Sequence, residues 1–280
     1  MIKIGVVITT YNRQNLLCRA IDSILNQSYQ KFIICVIEDC SPDDTSVIMN
    51  IKYAHQKKIK YIRLSKNSGV NVARNTGIEY LTSKDVNCDY VTFLDDDDYF
   101  ISNTLNEANH QISLTNTNWL LFNKIYPSGE KITKVTNYGY LSYLYDYFTY
   151  ARVSGDSTMF ISKFIIGKDR FEAKLRGREN LFYILLNHKS SIFAYDFDST
   201  VCEYLPSGMT YSQNVETKEE KLRIRAIEED ILSRVGLSFE EVEYIRSKVL
   251  FLKFLENKNI PKILKYFRHI IKWKLKLLLK

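Results

Sequence analysis

Over the first hundred positions, apolar residues come in short unbroken runs, and each run ends in polar or acidic residues. Lys3 to Thr10, Phe32 to Ile37, Lys60 to Leu64 and Tyr90 to Leu94 are such runs, rich in β-branched side chains. Continuous rather than alternating apolar character is the mark of strands covered on both faces, as in a parallel sheet. Between them, Leu17, Ala20, Ile21, Ile24 and Leu25 recur at helical spacing and predict an amphipathic helix. Ser41-Pro42 marks a turn, and Asp43 or Asp44 is placed to cap a helix running to about His55. Asn67-Ser68-Gly69 opens a third helix, with Val70, Ala73, Gly77 and Leu81 on one face. Strand and helix therefore alternate about every 30 residues, which predicts a parallel sheet with right-handed crossovers. The fold class is α/β.

Past Leu105 the pattern loosens. Trp119 to Asn123, Phe160-Ile161 and Ser191 to Tyr204 read as further strands. The stretch Tyr138 to Tyr150 holds Tyr138, Tyr140, Tyr143, Tyr145, Tyr147 and Tyr150. Such rings serve either as half-buried packing or as a sugar-facing surface, and both readings stand. Pro206 to Lys218 is a polar loop with the composition of a lid, and from Glu219 the chain reads as helical to its end. No internal repeat is found. The organisation expected is a domain over 1–215 and a C-terminal helical region over 216–280.

The composition is globular: 280 residues, 45% hydrophobic and 25% charged, with 10 Gly and 4 Pro. The net charge of +7 is uneven, with much of it near the C-terminus, so it does not mark a general nucleic-acid binder. The five cysteines are scattered without a C-x-x-C pair, which argues against a disulfide framework or zinc site and for a reducing compartment. The four histidines lack metal-ligand spacing, and no Walker loop occurs. No signal-peptide pattern or run of about 18 apolar residues is present, and the expected location is cytoplasmic.

The strongest chemical signal is the fourth run, where Tyr90-Val91-Thr92-Phe93-Leu94 passes directly into Asp95-Asp96-Asp97-Asp98. In open α/β sheets, ligands bind beyond the carboxyl ends of the strands, where strand order reverses. Four adjacent carboxylates there need water or a hard cation, and Mg²⁺ or Mn²⁺ suits oxygen ligands shared with phosphates. Extended geometry would place Asp95 and Asp97 on one side and Asp96 and Asp98 on the other.

Taken together, the segments resemble family 2 glycosyltransferases of the GT-A fold, inverting enzymes of the bacterial surface-polysaccharide type, over roughly residues 1 to 205. The carriers are Thr9-Thr10-Tyr11-Asn12-Arg13, the pattern Leu17…Ala20-Ile21…Ser23…Leu25…Gln27…Tyr29, then Glu38-Asp39-Cys40-Ser41, Asn67-Ser68-Gly69…Ala73-Arg74-Asn75-Thr76-Gly77, and Phe93 to Asp98. The resemblance implies a mostly parallel sheet flanked by helices. It implies nucleotide contacts at Thr9, Tyr11, Arg13, Asp39 and Arg74, with Asp39 accepting the imide N–H of uracil, which favours a UDP-linked donor. The acidic run matches the family's D-x-D motif, implying Asp97 as the direct ligand of Mn²⁺ or Mg²⁺ and Asp95 or Asp96 as the ribose contact. Four identical residues leave that assignment open by one position. Gly177-Arg178-Glu179-Asn180 aligns with the Gly-Glu-Asp sequence that opens a late helix in the family, so Glu179 stands where the family has its general base. Glu in place of Asp and Arg178 in place of an acid are departures, with Asp169 and Glu172 as fallback candidates.

From Lys258 the tail carries eight basic residues and no acid, with Ile260, Ile263, Leu264, Phe267, Ile270 and Ile271 forming one stripe. That profile fits a helix lying in an anionic membrane surface, peripheral on the inner face, or a helix packed on its own domain or on a second copy. Membrane placement suits a lipid-linked or surface-glycan acceptor. The leading expectation is transfer of a sugar from a nucleotide donor to a saccharide hydroxyl. A nucleotidyltransferase and a catalytically silent sugar-nucleotide-binding or scaffold protein are the alternatives. A nucleotidyltransferase would usually want a Gly- and Lys-rich first loop, which Tyr11-Asn12-Arg13 is not.

Overall fold

The computed structural model describes residues 1–149, 152–175, 177–203 and 217–238. In chain order the elements are β1 (Ile4–Thr10), α1 (Gln14–Leu25), β2 (Phe32–Glu38), α2 (Thr45–Lys52), β3 (Ile59–Arg63), α3 (Val70–Thr82), β4 (Tyr90–Asp95) and β5 (Tyr99–Phe100). There follow α4 (Thr104–Thr115), β6 (Trp119–Ile125), β7 (Lys134–Val135), β8 (Gly139–Leu141), a π-helical stretch (Tyr143–Thr149), β9 (Val153–Ser154) and β10 (Ser157–Ser162). α5 (Lys163–Ile166), α6 (Asn180–Asn187), β11 (Ile192–Val201) and α7 (Lys218–Ser233) complete the described chain. The four N-terminal runs are strands, and Asp43 closes the turn before α2 by accepting from the Thr45 amide at 3.2 Å and hydroxyl at 2.6 Å.

One sheet of nine strands among the described residues runs β3-β2-β1-β4-β10-β6-β11-β5, with β8 paired to β11. β1, β2, β3 and β4 are mutually parallel, and β6 is parallel to β11. β10 breaks this pattern by running antiparallel to both β4 and β6, so the sheet is mixed beyond β4. The chain builds outward from β1 to β2 and β3, then returns to place β4 on the other side of β1. The reversal of strand order falls between β1 and β4, where Thr9 lies beside Asp95.

Helices cover both faces. Ile4, Val6 and Ile8 point to the side packed by Leu17, Ile21 and Ile24 of α1 and by Leu105, Ala108 and Ile112 of α4. Val7 points to the other side, where Ala73, Ile78 and Leu81 of α3 and Leu181, Phe182 and Leu185 of α6 form a second apolar layer. α3 lies very close to β1, since a Cβ on Gly77 would meet Cγ1 of Val7 at 2.5 Å. α4 is absent from the sequence reading because its inward positions are sparse and its cap, Asn103, adopts the left-handed conformation rather than offering a side-chain cap. Ile231 and Leu232 of α7 bury themselves in the second layer, and Arg178 meets Glu228 at 3.3 Å. The expected boundary at 215/216, most of the lid-like loop, Tyr150 and the basic tail 258–280 lie outside the described residues.

Candidate active site

A cleft of about 1000 Å³ opens at the β1/β4 reversal, beyond the carboxyl ends of the parallel strands. The sheet dictates this position: strands that diverge in their connections leave a crevice where the crossovers part to opposite faces. The expected residues Thr9, Tyr11, Arg13, Asp39, Arg74, Asp95, Asp96, Asp97 and Glu179 all line it. The fallback candidates do not. Asp169 pairs with Lys189 at 2.6 Å, and Glu172 accepts the Lys174 amide at 3.2 Å.

The acidic run is a turn rather than an extension of β4, because the Asp98 amide donates to the Asp95 carbonyl at 3.1 Å. The four carboxylates consequently fan out to different partners. Asp95 meets Arg74 at 3.1 Å, Asp96 accepts from Thr10 Oγ1 at 2.7 Å and Arg13 at 3.1 Å, Asp97 meets Arg13 at 2.9 Å, and Asp98 meets Lys124 at 2.6 Å. The alternation expected from strand geometry nevertheless survives in burial. The side chains of Asp95 and Asp97 are 44% and 17% exposed, whereas those of Asp96 and Asp98 are 6% and 2% exposed. Asp98 is thus spent on a buried ion pair, and Asp95 and Asp97 are the more exposed pair in the cleft lining.

Burial pushes the Asp96 carboxyl up to about 7, against the pull of Thr10 and Arg13. Burial and repulsion from Asp95 and Asp98 also raise Asp97. Burial acts against ionised Asp95 too, but Arg74, Lys124 and Arg13 outweigh it and hold that carboxyl below its ordinary range. Among the described residues the cleft is lined by eight carboxylates (Asp39, Asp95 to Asp98, Asp156, Glu179 and Glu203) and three cationic side chains (Arg13, Arg74 and Lys124). An anionic ligand entering such a lining needs a counter-cation. Asp97 suits one: a hard oxygen donor at the cleft, with Asp95, Asp96 and Asp98 beside it and Arg13 shared with Asp96. No group of three candidate ligands occurs among the described residues, so one carboxylate would share the ion with water and with the ligand's own oxygens.

At the opposite end, the loops after β1 and β2 are tied together. The Asn12 amide donates to Ser41 Oγ at 3.0 Å, and the Asp39 amide to the Thr10 carbonyl at 2.9 Å. Asn12 and Cys40 both take positive φ, 56° and 58°, to make these sharp exits. Buried Asp39 then accepts the amides of Ser68 at 2.7 Å and Gly69 at 2.8 Å, one on each oxygen. Each oxygen keeps a second lone pair. Tyr11 presents its ring at the rim, 46% exposed.

Arg74 reaches from α3 across the cleft floor, meeting Asp95 on one side and Glu179 at 3.4 Å on the other. Glu179 immediately precedes α6, so the helix start aims it inward. Sequence reasoning missed Lys124, Asp156, Tyr183 and Glu203 as cleft residues, and Tyr143 and Tyr147 of the Tyr-rich stretch also line it. Only Lys124 left a signal, as a lone charge inside the apolar run of β6. Desolvation opposes its charge, but Asp98 and Asp95 hold its pKa well above the ordinary lysine range.

A mixed sheet with helices on both faces and an acidic turn at its strand reversal is the arrangement expected of the GT-A fold. The profile of glycosyl transferase family 2 matches residues 5–174. The chain belongs to that family. It is 28% identical over 205 residues to the GalNAc(5)-diNAcBac-PP-undecaprenol beta-1,3-glucosyltransferase of Campylobacter jejuni, covering 70% of this chain and 63% of that protein. A glycosyltransferase of Rickettsia bellii is 40% identical over 104 residues, 37% of this chain and 14% of that protein. The chain therefore spans less than two thirds of either relative. In structure it is similar to Staphylococcus aureus TarS 1–349 in complex with UDP-GlcNAc, with a TM-score of 0.71, 18% identity, and 97% of this chain and 80% of that chain covered. It is also similar to the Pyrobaculum calidifontis mannosyltransferase PcManGT in complex with GDP-Man and Mn²⁺, with a TM-score of 0.57, 13% identity, and 96% and 74% covered.

Proposed function

We propose that the protein is an inverting, metal-dependent glycosyltransferase that moves a sugar from a UDP-linked donor to a hydroxyl of a surface-glycan or lipid-linked saccharide acceptor. The observation that carries this reading is the cleft's charge: eight carboxylates and three cations, at the strand reversal, in a family 2 chain. A nucleoside diphosphate is itself anionic, so it enters this lining only as a partner of a divalent cation. Asp97 would hold Mn²⁺ or Mg²⁺, which when bound would supply Lewis-acid stabilisation of a diphosphate leaving group.

The chain's own groups do the rest. Thr9 and Tyr11 seat the nucleoside, and the remaining lone pairs of Asp39 accept the uracil imide. Asp95 or Asp96 contacts the ribose; Asp95 is the more accessible of the two. Arg13 and Arg74 provide positive charge near the diphosphate. Glu179 takes the proton from the acceptor hydroxyl as it attacks the anomeric carbon, and Arg74 orients that carboxylate. The same Arg74 contact favours a second reading, silent sugar-nucleotide binding, in which Glu179 is the ion-pair partner that holds Arg74 in place.

A screen of sugar nucleotides for thermal stabilisation and hydrolysis with Mn²⁺ tests the proposal. A UDP-sugar should stabilise the protein only with the metal, and Asp97→Ala should remove the metal-dependent part. Persistence of that part would refute the ligand assignment, and binding without transfer or hydrolysis would favour the silent reading. The acceptor class rests on the C. jejuni relative's name and on the basic tail. No helix among the described residues is long and apolar enough to cross a membrane. We assign peripheral attachment at the inner face of the membrane to 258–280; unchanged sedimentation with anionic vesicles after its deletion would exclude that.

A further inference from the structure

We propose that the hydroxyl of Tyr183 hydrogen-bonds the sugar of the nucleotide donor and so reads its identity. The inference rests on the glycosyltransferase reading above. Tyr183 lies four residues after Glu179, on the same face of α6 and one turn further in. Both side chains line the cleft. Its ring is fixed from several sides: the centroid lies 6.0 Å from Trp119, 5.4 Å from Tyr143, 6.1 Å from Phe171 and 5.6 Å from Phe182.

The hydroxyl, by contrast, makes no hydrogen bond to any described residue, although Arg74, Glu179, Asp95 and Tyr147 are its electrostatic neighbours. A tyrosine in an apolar cluster ordinarily anchors its O–H on a protein partner. Tyr147, in the same cluster, does so with the Gly155 carbonyl. Tyr183 instead leaves a donor and an acceptor facing the cavity. Burial pushes the phenol up to about 12, so it remains a neutral O–H able to do both.

The position selects the donor's sugar over its base. The nucleoside end is marked by Thr9, Tyr11 and Asp39, and the cation by Asp97. The transferred ring has to bridge from there to Glu179, which brings it past Asp95, Arg74 and the Tyr183 hydroxyl. A rigid ring that holds one unpaired O–H there accepts a sugar hydroxyl in one orientation and leaves its epimer unpaired.

The test is Tyr183→Phe in the full chain, which keeps the ring in its cluster. Titration calorimetry with Mn²⁺ compares UDP with UDP-glucose, UDP-galactose, UDP-GlcNAc and UDP-GalNAc. The expected result is an unchanged Kd for UDP and a loss of about three- to tenfold for the sugar nucleotide that the wild type binds best. Discrimination between that sugar and its epimer should narrow as well. Equal affinity of variant and wild type for every sugar nucleotide overturns the assignment and leaves the glycosyltransferase reading standing. An equal loss for UDP and its sugar conjugates overturns it too, since Tyr183 would then act only through Arg74 and Asp95. A wild type that binds neither UDP nor any conjugate overturns both.

Discussion

Lys124→Met isolates the electrostatic logic of the acidic turn. The Lys124 ammonium lies 2.6 Å from Asp98, with side-chain exposures of 9% and 2%. At that distance, with an effective dielectric near 20, the attraction is about 6 kcal/mol, most of which offsets the cost of desolvating two charges. The net worth of the pair against an apolar pair is therefore small. Removing one member is different, because Asp98 stays buried without its counter-charge, and the expected cost is about 3–5 kcal/mol. Asp98→Leu alone strands the ammonium and should cost a similar amount. The double variant Lys124→Met/Asp98→Leu should recover most of the loss. Guanidinium unfolding of the four proteins at pH 7 measures the coupling directly. If the double variant loses the sum of the two single losses, the pair is not coupled, and the claim that Lys124 exists to neutralise the fourth aspartate is wrong.

Four further outcomes are expected. Gly77→Ala pushes a methyl against Val7 and should cost about 1–3 kcal/mol by urea unfolding. Gly155→Ala should cost more, about 3–5 kcal/mol, because φ is +78° and its Cβ would meet the Ile132 carbonyl oxygen at 2.0 Å. Asp96 binds its proton more tightly folded (about 7) than unfolded (3.8), so its contribution to stability falls as pH rises from about 4 to 7. The slope is at most about 1.4 kcal/mol per pH unit, and Asp96→Asn should flatten the wild-type decline; parallel pH profiles would refute the shift. Glu179→Gln should lower kcat about 10²-fold or more while UDP affinity stays within about twofold, and unaltered turnover would exclude Glu179 as the base.

The half of the fold built from β1 to β4 was legible because each strand is a continuous apolar run closed by a polar loop. The far half was not. β10 reads as a strand from its apolar run, but nothing in a run of apolar residues encodes the direction of its neighbours, so its antiparallel placement between β4 and β6 had no signal. α4 stayed hidden because its inward positions carry only two large apolar residues, Leu105 and Ile112, beside Thr104, Ala108 and Gln111. At the site, the loop residues were legible as motif positions, and the structure gathers them in one cleft. Others were not: Lys124 and Asp156 come from a strand and a turn dozens of residues away, and only folding brings them to the cleft. In the Tyr-rich stretch, Tyr143 stacks on Trp119 at 5.7 Å, and Tyr143 and Tyr147 both line the cleft.

The double grip of Asp39 on the amides of Ser68 and Gly69 has a kinetic consequence. It ties the loop that leaves β2 to the loop that opens α3 without any nucleotide present. On the proposed reading, a uracil ring would dock on a rim that is already assembled, and little ordering entropy would be spent on capture. Association should follow a single bimolecular phase that scales linearly with nucleotide concentration, without the saturating rate of a pocket that must first rearrange.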